Sequence, residues 1–189
     1  MFLSLDLAAF DFIGKHLSSP FMDAVMTQVT VLGNGGLVWL VLTAVLLSGR
    51  ETRRNGLVCV LALFLVAVLG DLFLKNVFMR ERPFIQMPGL ELLIASPSGY
   101  SFPSGHAASS FAAATVLALN GRRFAVIGFS LAFLIAFSRV YLSVHFLTDV
   151  LGGIFLGIAC GTAAIFLFEK VSKVYTAKFA GSKMPKNQV

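Results

Sequence analysis

Residues 55–70 read NGLVCVLALFLVAVLG, a run without a charged side chain, and the apolar pattern continues past Asp71 to about Met79. Crossing the hydrocarbon of a bilayer takes about 20 apolar residues in a helix. Four further segments have the same character. Residues 21–48 carry only Asp23, and residues 107–121, 124–138 and 150–168 carry no charge. The fourth of the five extends to about Ser143 and the last begins near His145. Lipid offers no partners to backbone N–H and C=O groups, so each segment is predicted to be a helix. The fold class is an all-α integral membrane helical bundle: five transmembrane helices plus a short N-terminal helix over residues 1–17. Asp6 and Asp11 interrupt that N-terminal stretch, and an interfacial helix is preferred to a sixth span.

Composition agrees. Hydrophobic residues make up 57% of the chain and charged residues 13%, with a mean hydropathy of +0.86. A soluble domain carries about 25% charged residues, so this chain has too little polar surface to cover a water-facing globule, and its 189 residues form one membrane-embedded domain. The net charge of +6 reports topology, not nucleic-acid binding. Arg50, Arg53, Arg54, Arg122, Arg123, Lys170, Lys173, Lys178, Lys183 and Lys186 all fall on one side in a five-span arrangement. By the excess of basic residues in cytoplasmic loops, that side is cytosolic. Residues 170–189 then form a basic cytosolic tail that touches anionic lipid. Cys59 and Cys160 lie inside apolar runs and read as core.

The chemistry collects at the opposite ends of the spans, in residues 75–83 (KNVFMRERP), 103–106 (PSGH) and 138–149 (SRVYLSVHFLTD). Lys75 and Arg82 supply two cations suited to a phosphate, one a point charge and one a fork. Asp71, one turn before Lys75, can orient it. Pro83 disfavours helix at Arg82 and lets the chain turn that residue back toward Lys75. Ser104 can cap the helix that follows, Gly105 lets an anion approach the backbone, and a helix N-terminus attracts phosphate. His106 stands beside it. His145 and Asp149, four apart, share a helical face, where the carboxylate can hold the imidazole tautomer. Arg139 reaches them only if the chain turns near residues 141–143. Each stretch alone has a bland reading: a snorkelling end, an ordinary cap, a structural His–Asp pair. Together they make a phosphoryl-transfer site with no metal-ligand cluster and no nucleotide loop.

The pattern K-x6-RP, PSGH, SR-x5-H-x3-D, complete from Lys75 to Asp149, resembles the type 2 phosphatidic acid phosphatase superfamily, and the layout resembles its small bacterial membrane members. The resemblance implies that His145 is the nucleophile that forms a phosphohistidine and that Asp149 orients it. It implies that His106 protonates the leaving oxygen, that Lys75, Arg82, Ser104, Gly105 and Arg139 hold the phosphate, and that neither metal nor cofactor is needed. The substrate is then a membrane lipid phosphate at the outer face of a bacterial cytoplasmic membrane. Undecaprenyl diphosphate is the first choice; phosphatidylglycerol phosphate, phosphatidate and lipid A phosphate are alternatives, as is a phosphotransferase. An anion or lipid transporter or binding protein is the non-enzymatic alternative.

Three features stay open at this level. Gly153, Gly157 and Gly161 form a GxxxG repeat, for which packing inside the bundle is preferred to a homodimer face. Gly33, Asn34, Gly35 and Gly36 interrupt the first span, where close packing or a bend is preferred to a broken transporter helix. Arg80 and Glu81, between the site cations, can tune the site or face headgroups. Residues 83–103, an outer loop, should flank the site. The charge asymmetry predicts that a cysteine placed at Ser182 resists a membrane-impermeant thiol reagent added outside intact cells; efficient labelling would reverse the orientation.

Overall fold

A computed structural model describes residues 2–87 and 89–180, and within them the chain is helical with no strand. The helices are α1 (Phe2–His16), α2 (Pro20–Leu32), α3 (Leu37–Ser48), α4 (Arg53–Val66), α5 (Lys75–Phe78), α6 (Pro83–Gln86), α7 (Gly105–Leu117), α8 (Arg122–Tyr141) and α9 (Leu147–Ala180). A wide π-helical stretch, Ala67–Leu74, joins α4 to α5. Three helical stretches, Arg53–Gln86, Arg122–Tyr141 and Leu147–Tyr175, are long and apolar enough to cross a membrane; the α2–α3 pair, bent by 47°, makes a fourth if counted as one span. Their outward faces carry exposed phenylalanines such as Phe64, Phe133, Phe155 and Phe166, the surface that lipid tails solvate.

The remaining apolar segment, expected as a fifth span, forms the shorter helix α7. α7 has 13 residues, about 20 Å at 1.5 Å per residue, short of the hydrocarbon thickness. Its Ala107, Ala108, Ala112, Ala113, Ala114 and Val116 are buried: it is the central helix, packed among α4, α8 and α9.

Small residues let α9 lie against α7. A Cβ at Gly153 would come within 2.5 Å of Ser104 O, one at Gly157 within 2.3 Å of Ala108 O, and one at Gly161 within 2.8 Å of Thr115 Cβ. The GxxxG face is therefore occupied inside the bundle. α3 is tied to α7 by the buried Trp39, whose Nε1 donates to Ser110 Oγ at 2.8 Å.

α2 starts at Ser19, whose hydroxyl accepts from Met22 N, with Pro20 in the first turn. The glycine break that follows has a local cause: Gly35 and Gly36 take φ of 58° and 71°, and a Cβ on Gly33 would meet His106 Cδ2 at 2.5 Å. α1, about 22 Å long, lies against α8 and α9 with Asp6 and Ile13 buried. At the other end, α9 stays helical to Ala180, so residues 170–180 of the basic tail continue the last helix; residues 181–189, with Lys183 and Lys186, lie outside the described residues. Gly157→Val should lower the thermal midpoint of the detergent-solubilised protein, because overpacking costs about 1–3 kcal/mol and here the obstacle is backbone; an unchanged midpoint would mean that α7 and α9 separate freely.

Candidate active site

α5 ends at Phe78, where Met79 turns left-handed with φ 43°, earlier than the proline alone suggests. The chain then runs extended to Arg82 and enters α6 at Pro83. Arg82 is swung into the protein and held there by carbonyls. Its Nε donates to Gly99 O at 2.9 Å, Nη1 to Val144 O at 3.0 Å and Nη2 to Ser98 O at 3.1 Å. The loop before α7 thus flanks the site and fixes one of its two buried arginines. Lys75 pairs with Asp71 at 2.6 Å, as the one-turn spacing suggests, and Gly105 lies against that pair, its missing Cβ 3.4 Å from Asp71 Oδ1.

α8 delivers Arg139 in its last turn, and the chain reverses through residues 142–146, with Ser143 at φ 56°. The amides of Val144 and His145 both donate to Arg139 O at 3.2 Å, so the expected turn is present and brings His145 back beside Arg139.

The His145–Asp149 pair needs correction. His145 sits in the turn before α9, which begins at Leu147, so the two do not share a helical face. His145 Nδ1 is 3.7 Å from Asp149 Oδ2, too far for a direct hydrogen bond. Ser101 Oγ stands between them, 3.3 Å from Nδ1 and donating to Oδ2 at 2.5 Å. On the ring's other side, Arg82 Nη1 is 3.2 Å from Nε2. A guanidinium only donates, so Nε2 accepts and the ring proton sits on Nδ1. Burial pulls this imidazole down to about 4 against the upward pull of Asp149, with Arg82 and Arg139 adding to the downward shift. The ring is neutral near pH 7, with its lone pair on Nε2.

Two buried side-chain polar atoms among the described residues have no hydrogen-bond partner: Ser104 Oγ and Arg139 Nε. Ser104 occupies the N-cap position of α7, yet its side chain makes no capping bond, contrary to the capping role the sequence suggests. Arg139 Nη1 donates to Thr30 Oγ1. An unmet buried donor costs about 1–3 kcal/mol, so both groups call for an acceptor. Arg139 lines a cavity of about 550 Å³ together with Lys75, Arg82, Gly105, His106 and His145. Its wall continues into apolar Leu40, Leu63 and Val66. Six of the eight sequence-predicted residues line this cavity; Ser104 and Asp149 are fully buried. No three of His, Cys, Asp and Glu among the described residues are grouped to hold a metal ion.

Sequence reasoning missed Ser101, Thr30 and Asn34. His106 Nε2 lies 3.0 Å from Asn34 Oδ1, so the glycine break serves the site by admitting His106 and presenting Asn34. Ser101 lies two positions before Pro103, the start of PSGH, and only the fold reveals that its hydroxyl bridges two residues more than 40 positions away.

The chain belongs to the PAP2 superfamily, which residues 56–173 match. It is 38% identical over 121 residues to an undecaprenyl-diphosphatase of Sulfolobus acidocaldarius, a match that spans 64% of this chain and 58% of the relative. Among solved structures it is similar to Aquifex aeolicus LpxE, with a TM-score of 0.72 and 33% identity over 84% of this chain and 93% of that one. It is also similar to a PAP2-type phosphatidylglycerolphosphate phosphatase from Bacillus subtilis, with a TM-score of 0.73 and 29% identity over 89% and 87%.

If the hydroxyl carries the carboxylate's hold on the ring, Ser101→Ala should lower kcat on a lipid phosphate by about 10- to 100-fold, the scale of a misplaced reacting group, and change KM little. Steady-state kinetics checks this, and an unchanged kcat would remove the hydroxyl from the path.

Proposed function

We propose that this protein is a membrane lipid phosphatase that hydrolyses a lipid phosphate or diphosphate through a phosphohistidine, without a metal. The observation that carries the reading is the cavity lined by Lys75, Arg82, Arg139 and a neutral His145, in which the buried Nε of Arg139 has no hydrogen-bond partner. The apolar wall beside these cations suits a headgroup that arrives with its tail in the bilayer, and the named activities of the relatives agree.

In this mechanism Lys75, Arg82, Arg139, Ser104 and the backbone at Gly105 neutralise the phosphate oxygens. His145 Nε2 attacks phosphorus as the bond to the leaving oxygen breaks. Burial and the surrounding cations, Arg139 first, pull His106 down to about 3; the bound phosphate anion offsets those cations, so that His106 takes up a proton as imidazolium and gives it to that oxygen. The His145 imidazole gains positive charge, which Asp149 stabilises through Ser101. Water, deprotonated by His106, then attacks the phosphohistidine and releases inorganic phosphate, returning the ring to neutral. General acid–base assistance of this kind contributes about 10²–10⁴-fold. Undecaprenyl diphosphate is the substrate we favour, at the face away from the cytosol, with the basic C-terminal segment resting on anionic lipid. A homodimer, if one forms, would use a face other than the α7–α9 contact.

The test is phosphate release by the purified protein, in detergent with EDTA, from undecaprenyl diphosphate, phosphatidylglycerol phosphate, phosphatidate and lipid A phosphate. Release that persists in EDTA, fastest from undecaprenyl diphosphate, is expected. Activity abolished by EDTA and restored by Mg²⁺ would contradict the mechanism, and faster release from another lipid would reassign the substrate.

A further inference from the structure

Asp6 is a carboxylate on α1 with no exposed surface, and it lies outside residues 56–173 that carry the family match. Its Oδ2 accepts from Arg80 Nη2 at 2.7 Å and from Thr148 Oγ1 at 2.9 Å, and its Oδ1 accepts from Thr148 N at 2.9 Å. The other arm of Arg80, Nη1, donates to Asp149 Oδ1 at 2.6 Å and to Thr148 Oγ1 at 2.7 Å. The guanidinium lies over the Phe146 ring, 4.1 Å from its centroid, and Arg80 O accepts from Ser101 N at 2.7 Å. Arg80 therefore holds the backbone of the bridging serine and the carboxylate that the serine meets, while being held in turn by the N-terminal helix.

We propose that α1 is part of the catalytic apparatus, with Asp6 and Arg80 acting as a positioning pair that sets how strongly Asp149 supports positive charge on His145. The proposal rests on the reading of His145 as the nucleophile. Asp6, Arg80 and Asp149 carry −1, +1 and −1, a formal total of −1. A cluster held at that charge favours the imidazolium-like ring of the phosphohistidine while leaving Asp149 fixed in place. Were Arg80 unpaired, it would cancel Asp149; were it absent, two buried carboxylates would face each other across Thr148. The other charged or titratable groups on His145 are Arg82 from the extended segment, Arg139 from α8, and His106, Lys75 and Asp71 around the same cavity. None of them contacts Asp6, so changes at Asp6 and Arg80 reach the ring through Asp149.

The sign of the effect separates this role from simple docking of α1. Asp6→Asn takes the cluster to zero, Arg80→Gln to −2, and the double variant back to −1. Less negative charge makes the imidazolium harder to form and moves the acidic limb of kcat/KM to lower pH; more negative charge moves it higher. The substrate's own ionisation is common to all variants and drops out of the comparison. On a short-chain lipid phosphate, the limb of Asp6→Asn should move down and that of Arg80→Gln up, each by roughly half a unit. That is less than the 1–3 units of a directly adjacent charge. The double variant should return toward wild type, and Arg80→Lys, which keeps the charge, should hold the wild-type limb even if kcat falls. In both single variants kcat should fall more than KM changes. Limbs that shift in the same direction, or not at all, overturn the proposal. If Asp6→Asn does not fold, Arg80→Gln against Arg80→Lys is the comparison, and an unmoved limb there overturns it equally. Turnover by His145→Ala would sink the nucleophile reading itself, whereas an inactive His145→Ala beside limbs that fail to diverge sinks only the role of Asp6 and Arg80.

Discussion

A carboxylate removed from water needs donors, and Asp149, with no exposed surface, finds them in separate parts of the chain. Arg80 supplies one from the segment after α5, Ser101 one from the loop before α7, and Phe146 N one from the turn that opens α9. Ser104 N donates to its backbone carbonyl at 3.0 Å. Without these partners a buried charge costs several kcal/mol. The three sequence segments are thus pinned to one another at the end of the bundle by the need to satisfy this one group, and His145 is oriented by what Asp149 can reach.

That convergence requires α7 to approach its neighbours closely. Alanines on α7 and glycines on α9 bring the two backbones near enough for Ser104 and Asp149 to meet, and Gly33 gives His106 the space its ring occupies. Packing and chemistry are therefore the same constraint at these positions. The helices that carry the site are fixed by small residues, while bulkier apolar side chains face lipid.

Much of this was legible before the fold was seen, for physical reasons. Charge-free runs mark helices that avoid water, and cations, histidines and a carboxylate at their ends are too costly there to be incidental. Lys75, Arg82, His106, Arg139 and His145 do come to one cavity. The errors have equally specific causes. A four-residue spacing implies a shared face only inside a helix, and His145 lies just before one. A serine before a helix reads as a cap, but Ser104 keeps its hydroxyl free of the backbone. Ser101, Thr30 and Asn34 were invisible because a lone hydroxyl or amide acquires meaning only from what stands opposite it. Asp6, an apparent flaw in an apolar helix, is the residue that binds that helix to the site.

The central claim is that His145 carries the phosphoryl group. Rapid quench into alkaline denaturant of the protein mixed with ³²P-labelled lipid phosphate, with neutral or alkaline pH kept during separation, measures this directly. The account predicts label on the wild-type protein, bound through an acid-labile, alkali-stable linkage to a peptide containing His145, and none on His145→Ala. Label persisting on His145→Ala, or mapped to His106, would contradict it.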